Sequence, residues 1–440
     1  MKVVRKRKLK KSVWLFTILF LLTIGCLLFG FSRTLNKEKQ EHIIDTILMY
    51  NQENLDVSFL QWVQESYGLD ALKKVAKALE NETYHVDLWH DVTGNSYTVL
   101  QDLYQDEYDN RDDVTFVEGN QEFVTIGYVG DVSLADNWDI IPYYKSRNQG
   151  IYGILDEDMV SYMKNLNWLI ANSEFAFGTN GTPMVNKLYT FLADPSHVSI
   201  YQEMGVDMVT LANNHVYDYG HEAFVTTLKT LKENSLPYIG AGENLEEATS
   251  AHYLIINGYK ISFLNATRAE KYIMTPGATE TTEGVFRAYD PSLLVQRIKE
   301  EKQHSDYVVV LIHWGTENSH ELEEVQIESG RLYIDSGADM VVGTHAHVLQ
   351  GMEFYKGKLI AYNLGNFIFN DQTVDTGILS FQLYDDGSSE FYFYPALQKN
   401  CYTSSLEKDD QLNLYQKMTD WSINVSFLED GKIVEKENSK

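Results

Sequence analysis

Five apolar segments of this chain each stop on side chains that bind metals or carry protons, and this recurrence limits the possible folds more than any other feature. VTIGYVGD ends on Asp131, WLIANSE on Glu174, and VTLANNH on Asn213, Asn214 and His215. VVVLIHWGTE ends on His313 and Glu317, and VVGTHAH on His345 and His347. The runs are short, apolar and rich in β-branched residues, which marks buried strands. Helix signals lie between them. Asp194-Pro195 opens a segment that Gly205 closes, Glu222–Asn234 is amphipathic, and Asp290-Pro291 opens a helix over 290–302. Strands alternating with helices predict parallel strands covered by helices. Ligands of such open sheets gather at the carboxyl ends of the strands, so the five ends should meet in one crevice.

Taken singly, each of these residues has a structural reading. Asp131 suits a turn, Glu174 or Asp218 a helix cap, and Asn214 a bond to its own backbone. A single histidine after a strand is usually hydrogen-bonded core. Together they carry more. Four of the chain's 12 histidines follow buried strands. In an extended strand residues i and i+2 share a side, so His345 and His347 would aim both imidazoles at one place. Carboxylate, amide and imidazole donors suit a divalent transition metal such as Mn, Zn or Fe. There is also an internal echo. Gly205–Val209 and Gly337–Val341 both read Gly-x-Asp-Met-Val. Asn257-Gly258 between apolar runs marks a hairpin.

Charge bounds the class of partner. The net charge of -27, from 36 basic and 63 acidic residues, argues against nucleic acid, which needs clustered Lys and Arg. Residues 1–12 are the exception, with seven basic side chains, and Val13–Phe31 then carries no charge over nineteen residues. That is close to the ~20 residues a helix needs to cross a bilayer. The expectation is a cytoplasmic segment 1–12, a transmembrane helix 13–31, and all that follows outside the cell. A cleaved signal would have a shorter apolar stretch, and Thr23–Cys26 matches a lipobox only in part. Cys26 and Cys401 are the only cysteines, and with one in the membrane no intrachain disulfide is expected. Residues 32–120 read as a small helical stalk, with stripes such as Leu72, Val75, Ala76 and Leu79. Residues 121–400 read as the main domain and 401–440 as a tail, where Trp421 and Val425–Leu428 hint at a packed element.

The ordered set GDVSL (130–134), NSE (172–174), LANNHVYDYG (211–220), HWGTE (313–317), GTHAHVLQ (343–350) and NLGNFIF (363–369) resembles the calcineurin-like metallophosphoesterases. More closely it resembles their capsule branch, the CapA/PgsA family of poly-γ-glutamate biosynthesis proteins, over about 123–372. The resemblance implies a four-layer α/β/β/α sandwich and one or two divalent ions. It implies that Asp131 and His347 hold one ion, Asn214, His313 and His345 the other, and that Glu174 bridges. His215 would protonate a leaving group, oriented by Asn213 and Asp218, with Trp314, Glu317 and Asn213 facing substrate. Ser133 stands where the wider superfamily has a metal-binding histidine, and Thr344 where many relatives have His. The implied process is synthesis, transport or release of an anionic polymer at the cell membrane, beside the membrane components of a polymer synthetase. Two rivals predict otherwise: a non-catalytic scaffold of such a synthetase, and a solute-binding receptor without stoichiometric metal.

Overall fold

Each of the five runs contains a strand in the computed structural model, which describes residues 43–50, 55–105, 111–117, 122–270 and 274–436. The expected segments 1–12 and 13–31 lie outside the described residues. Among the described residues no helix is long and apolar enough to cross a membrane. The chain divides into two units. The first comprises Met1–Asn120 with Leu254–Lys260 and Asp385–Gly387. Its helices α1 (Val57–Tyr67) and α2 (Leu69–Glu80) are separated by Gly68, whose φ of +91° ends the first. Asp56 caps α1 by accepting from the Phe59 N–H at 2.7 Å. Leu60, Val63, Leu72, Val75 and Trp89 form a buried cluster there.

In the second unit, β1 (Phe123–Val132), β2 (Trp168–Ser173) and β3 (Met208–Thr210) pair in parallel. A second sheet holds β4 (Tyr259–Thr267), β5 (Tyr307–His313), β6 (Met340–Thr344) and β7 (Lys358–Ala361), also parallel. The chain then returns to the first sheet. There β8 (Asn366–Ile368) pairs with β1, and the antiparallel β9 (Val374–Tyr384) and β10 (Ser389–Gln398) extend it. The two sheets face each other across a small cavity lined by Tyr128, Val129 and Ile170 on one side and Leu311, Ile312 and Val342 on the other. Helices cover the outer faces. On the first sheet α3 (Glu157–Asn165), α4 (Val198–Met204) and α5 (Gly220–Glu233) bury Met163, Met204 and Phe224 against Leu169 and Val209. On the second, α6 (Ser292–Glu301) and α7 (Glu324–Asp335) bury Leu294, Ile298 and Tyr333 against Val310 and Val341. The result is a mixed α/β sandwich.

The internal echo has a physical meaning. The Asp207 N–H donates to the Leu169 carbonyl at 2.9 Å, and its carboxylate accepts from the Leu169 N–H at 2.9 Å. Asp339 does the same to Val308, at 2.7 and 3.0 Å. In both sheets the aspartate fixes where a new strand joins its neighbour, and so fixes the register of the ends that reach the site.

The stretch expected as a tail contains the packed element that Val425–Leu428 hinted at. Thr403–Ser405 pairs with β10, and the strand Lys432–Glu435 pairs with it too, carrying Val425–Phe427 beyond. Val425 and Ile433 supply the reason, because both are buried. The domain therefore runs past residue 400.

One close approach sets up the site. A Cβ on Gly130 would stand 1.9 Å from the Gly365 carbonyl oxygen, the same oxygen that accepts from the Asp131 N–H at 2.8 Å. Backbone cannot yield as a side chain can. Gly130→Ala is expected to cost about 1–3 kcal/mol or more, read as a lowered urea midpoint; an unchanged midpoint would show that the two segments need not touch.

Candidate metal centre

The strand ends of both sheets meet. Asp131 sits at the end of β1, Glu174 just past β2, Asn214 beyond β3, His313 at the end of β5, and His345 and His347 past β6. Asp131, Glu174 and His313 have no solvent exposure. One carboxylate oxygen of Glu174 lies 3.5 Å from His313 Nε2, and His347 Nδ1 lies 3.3 Å from Asp131 Oδ2. Donor atoms of Glu174, His313 and His345 all fall within 4.8 Å of one another, as do those of Asp131, Glu174 and His347. Glu174 belongs to both groups. Asn214 joins the first through Oδ1, which is 2.8 Å from His313 Nε2.

The two histidines after β6 reach the site by a route other than strand alternation. β6 ends at Thr344, and His345 and His347 adopt φ of +99° and +60°. Left-handed backbone at two such residues costs about 1–3 kcal/mol each and persists where the surroundings impose it. The surroundings are visible. The His345 N–H points at both Asp131 oxygens, at 3.3 and 3.2 Å. Asn363 Nδ2 donates to the Thr344 carbonyl at 2.7 Å and lies 3.3 Å from that of Trp314.

Beside the cluster, His215 Nδ1 is 2.7 Å from an Asp218 oxygen, and its Nε2 is 3.9 Å from Glu174 Oε1. Phe191 packs on the imidazole, with ring centroids 4.5 Å apart. Asp218 does not cap the following helix, whose N-cap is Tyr219. Its carboxylate instead accepts from the Phe191 N–H at 2.8 Å and pairs with Lys187 Nζ at 2.7 Å. Lys187 also donates to the Asn214 carbonyl. Asn213 is fully buried. Its Oδ1 accepts from the N–H groups of His215 and Val216, and its Nδ2 donates to the Ser173 carbonyl at 2.8 Å. It orients the turn and has nothing left for a substrate. Trp314 is likewise displaced from its expected place. It follows His313, so it faces the opposite side of the sheet, stacks on Tyr333 and Tyr362, and donates to the Tyr362 carbonyl at 2.8 Å. Glu317 lies exposed in the next loop, near enough for its charge to act on Glu174 and His347.

Residues without an assigned role complete the frame. Asn172 Nδ2 donates to Asp131 at 2.8 Å and lies 3.3 Å from Glu174. Thr344 Oγ1 is 2.9 Å from His313 Nδ1, and Asn366 Oδ1 is 2.8 Å from His347 Nδ1. Asn172 and Asn366 stand inside quoted motifs. Lys187 lies in an irregular stretch with no periodic signal.

The electrostatics fit a cation. Burial first, then the Asp131 charge, pushes the Glu174 carboxyl well above the usual range. Burial, then the other imidazoles, holds His313 and His345 well below theirs. For His347 burial opposes the charge, but Asp131 outweighs it and raises the group. Burial also lowers His215, against the pull of Asp218. Glu174 Oε1, His345 Nδ1 and Asn366 Nδ2 are buried without a hydrogen-bond partner. Orphaned buried polar atoms cost about 1–3 kcal/mol each, and here a carboxylate oxygen and an imidazole nitrogen converge, the donor set of a divalent ion. The residues present fit such an ion.

Residues 125–371 match the family described as bacterial capsule synthesis protein PGA_cap. The capsule biosynthesis protein CapA of Bacillus anthracis is 31% identical over 272 residues, 59% of this chain and 65% of that protein, just under two thirds of its length. The PGA biosynthesis protein CapA of Bacillus subtilis is 31% identical over 283 residues, 63% of this chain and 70% of that one. A probable polyglutamine synthesis accessory protein of Mycobacterium tuberculosis is 23% identical over 207 residues, 45% and 54% of the two chains. The matched span begins within β1 and ends just past β8, enclosing every strand end described above, and the chain belongs to the PGA_cap capsule synthesis family of the metallophosphoesterase-like superfamily.

Proposed function

We propose that this protein is a metal-dependent hydrolase or transferase of capsule formation, acting at a phosphoester or amide bond of poly-γ-glutamate, a similar anionic polymer, or its precursor. The observation that carries the reading is Glu174, buried with one oxygen unbonded and shared by two groups of donors. Asp131 and His347 would hold one ion, Asn214, His313 and His345 a second, and Glu174 both. Such ions supply a water of lowered pKa and stabilise charge on the attacked centre. Asp218 holds His215 by Nδ1 and its charge favours the imidazolium, whose Nε2 proton, on the Glu174 side, would go to a leaving group. Glu317 lies at the mouth, placed to meet substrate. A bound cation also answers how a chain of net charge -27 accepts a polyanion, since it is the largest local charge in such a site. The names of the two Bacillus relatives support the choice of polymer.

The same reading tethers the protein by Val13–Phe31, with its N-terminus in the cytoplasm and the α/β unit outside, beside the membrane components of a polymer synthetase. The test is metal analysis of the purified full chain, followed by turnover of a phosphodiester and of γ-glutamyl peptides. One or two equivalents of metal, with turnover lost on chelation and restored on reloading, are expected. A chain without stoichiometric metal would sink the reading. So would polymer production in cells that survives His313→Ala, which a non-catalytic scaffold predicts.

A further inference from the structure

The segment 178–191, between β2 and α4, has its polarity inverted. The Lys187 side chain is 7% exposed, whereas Val185 is 79% and Leu188 85% exposed. Burying an ammonium is costly, and a buried ion pair is often no better for stability than apolar side chains of similar volume. Stability alone does not account for a lysine turned inward while its apolar neighbours face water, so the buried charge points to a use at the site.

Its partners show where the charge is spent. Lys187 Nζ pairs with Asp218 at 2.7 Å, donates to the Asn214 carbonyl, and lies 3.2 Å from a Glu270 carboxylate oxygen. Asn214 and Asp218 stand on either side of His215 in the turn after β3. Glu270 comes from the other sheet, just past β4, and its second oxygen accepts from the Thr275 N–H at 2.9 Å. Thr275 Oγ1 donates to the same Asn214 carbonyl at 2.9 Å. The segment meets the turn at two further points, where the Met184 N–H donates to the Asp218 carbonyl and the Phe191 N–H to its carboxylate, both at 2.8 Å. One ammonium therefore joins the loops that follow β2, β3 and β4. Its charge also acts on Glu174, His215 and His313, so it stands beside the donor groups themselves.

We propose that Lys187 is a positioning residue whose ammonium staples the 214–218 turn, so that one metal donor, the Asn214 amide, and the proton donor, His215, are held in place together. This rests on the reading of the site as a metal-dependent hydrolase or transferase. The staple is made to backbone and to two carboxylates of the protein, all of them behind the donor atoms. Its loss should therefore change metal affinity and kcat and leave KM alone.

The test uses the full chain as wild type, Lys187→Met and Lys187→Arg, at a temperature well below each melting midpoint. Mn²⁺ binding is measured calorimetrically, and kcat and KM on whichever of a phosphodiester and a γ-glutamyl peptide wild type turns over. Residues that orient metal donors from behind are worth about 10–100-fold in metal affinity or activity. Lys187→Met should lose that much in Mn²⁺ affinity and in kcat, with KM within about twofold of wild type, because no contact with substrate is removed. Lys187→Arg, which keeps the charge on a different geometry, should fall between the two. A lowered melting midpoint with wild-type Mn²⁺ affinity and kcat would make Lys187 structural only and overturn the proposal while leaving the proposed function standing. A raised KM at unchanged kcat would overturn it in favour of substrate binding, and loss of metal affinity or of kcat without the other would overturn the joint role. Should Lys187→Met fail to fold, Lys187→Arg decides: both values reduced uphold the proposal, and both at wild type overturn it. Wild type that binds no Mn²⁺ and turns over neither substrate takes the proposed function down as well.

Discussion

Glu174→Gln should strip the protein of its ions and its turnover and yet raise the stability of the metal-free chain. The side chain is wholly buried, one oxygen has no partner, and Asp131 lies close enough to raise its pKa. With metal bound, that oxygen has a use and the charge is neutralised. Without metal, and above its raised pKa, it is a desolvated anion beside another carboxylate. An amide of the same shape removes the charge, so chelated Glu174→Gln should be about 1–3 kcal/mol more stable than chelated wild type. Metal ions supply several kcal/mol of transition-state stabilisation, at a factor of ten per ~1.4 kcal/mol, so turnover should fall about 10³-fold or more. The pH dependence has a definite sign. A carboxyl whose folded pKa is raised binds its proton more tightly in the folded chain, so stability falls as pH rises from the ordinary carboxylate range through the raised value. The gap between the two chelated proteins should open over that window and close below it. Calorimetric melts across pH, with metal content measured in parallel, decide the matter. Stoichiometric metal in Glu174→Gln, or a metal-free variant that melts below wild type, would overturn it.

The fold was readable where local chemistry and tertiary demand agree. β-branched runs became strands, and Asp194 caps its helix start as Asp-Pro segments do, its side chain accepting from Ser196 at 2.9 Å. Gly205, at φ +81°, closes that segment. The turn at Asn257-Gly258 has positive φ at both residues, 51° and 80°. The Asp207 and Asp339 echo was visible as letters, but its meaning needed the partners Leu169 and Val308, which lie far away in sequence. At the site, the listing of strand ends located Asp131, Glu174, Asn214, His313, His345 and His347 together. Three things lay beyond reach. Period-two reasoning placed His345 and His347 on a strand, although the loop there is held by Asp131 and Asn363 from other elements. Trp314 lies one residue from His313, and in a strand that reverses the face, so an aromatic beside a ligand reads as a pocket wall when it is core. Lys187 owes its position to an irregular loop, which leaves no pattern along the chain.

His215→Gln is expected to lower kcat about 10²–10⁴-fold, the usual contribution of one general acid, while metal content stays that of wild type. The two effects separate because His215 stands beside the donor groups without belonging to either. Its Nδ1 is committed to Asp218 and its Nε2 is turned to the Glu174 side. Asp218 is fixed in turn by Lys187 and the Phe191 N–H, and Phe191 packs on the imidazole, so the ring has little freedom to take another role. A proton donor matters in proportion to how badly the leaving group needs the proton. Substrates with nitrophenol leaving groups, which depart as anions, should lose little in His215→Gln, and those with alkyl alcohol or amine leaving groups should lose most. Asp218→Asn should follow the same ordering, because it removes both the partner that orients the imidazole and the charge that helps it hold a proton. Equal losses across leaving groups, or loss of metal along with activity, would assign His215 to holding the site together and leave the proton to come from water.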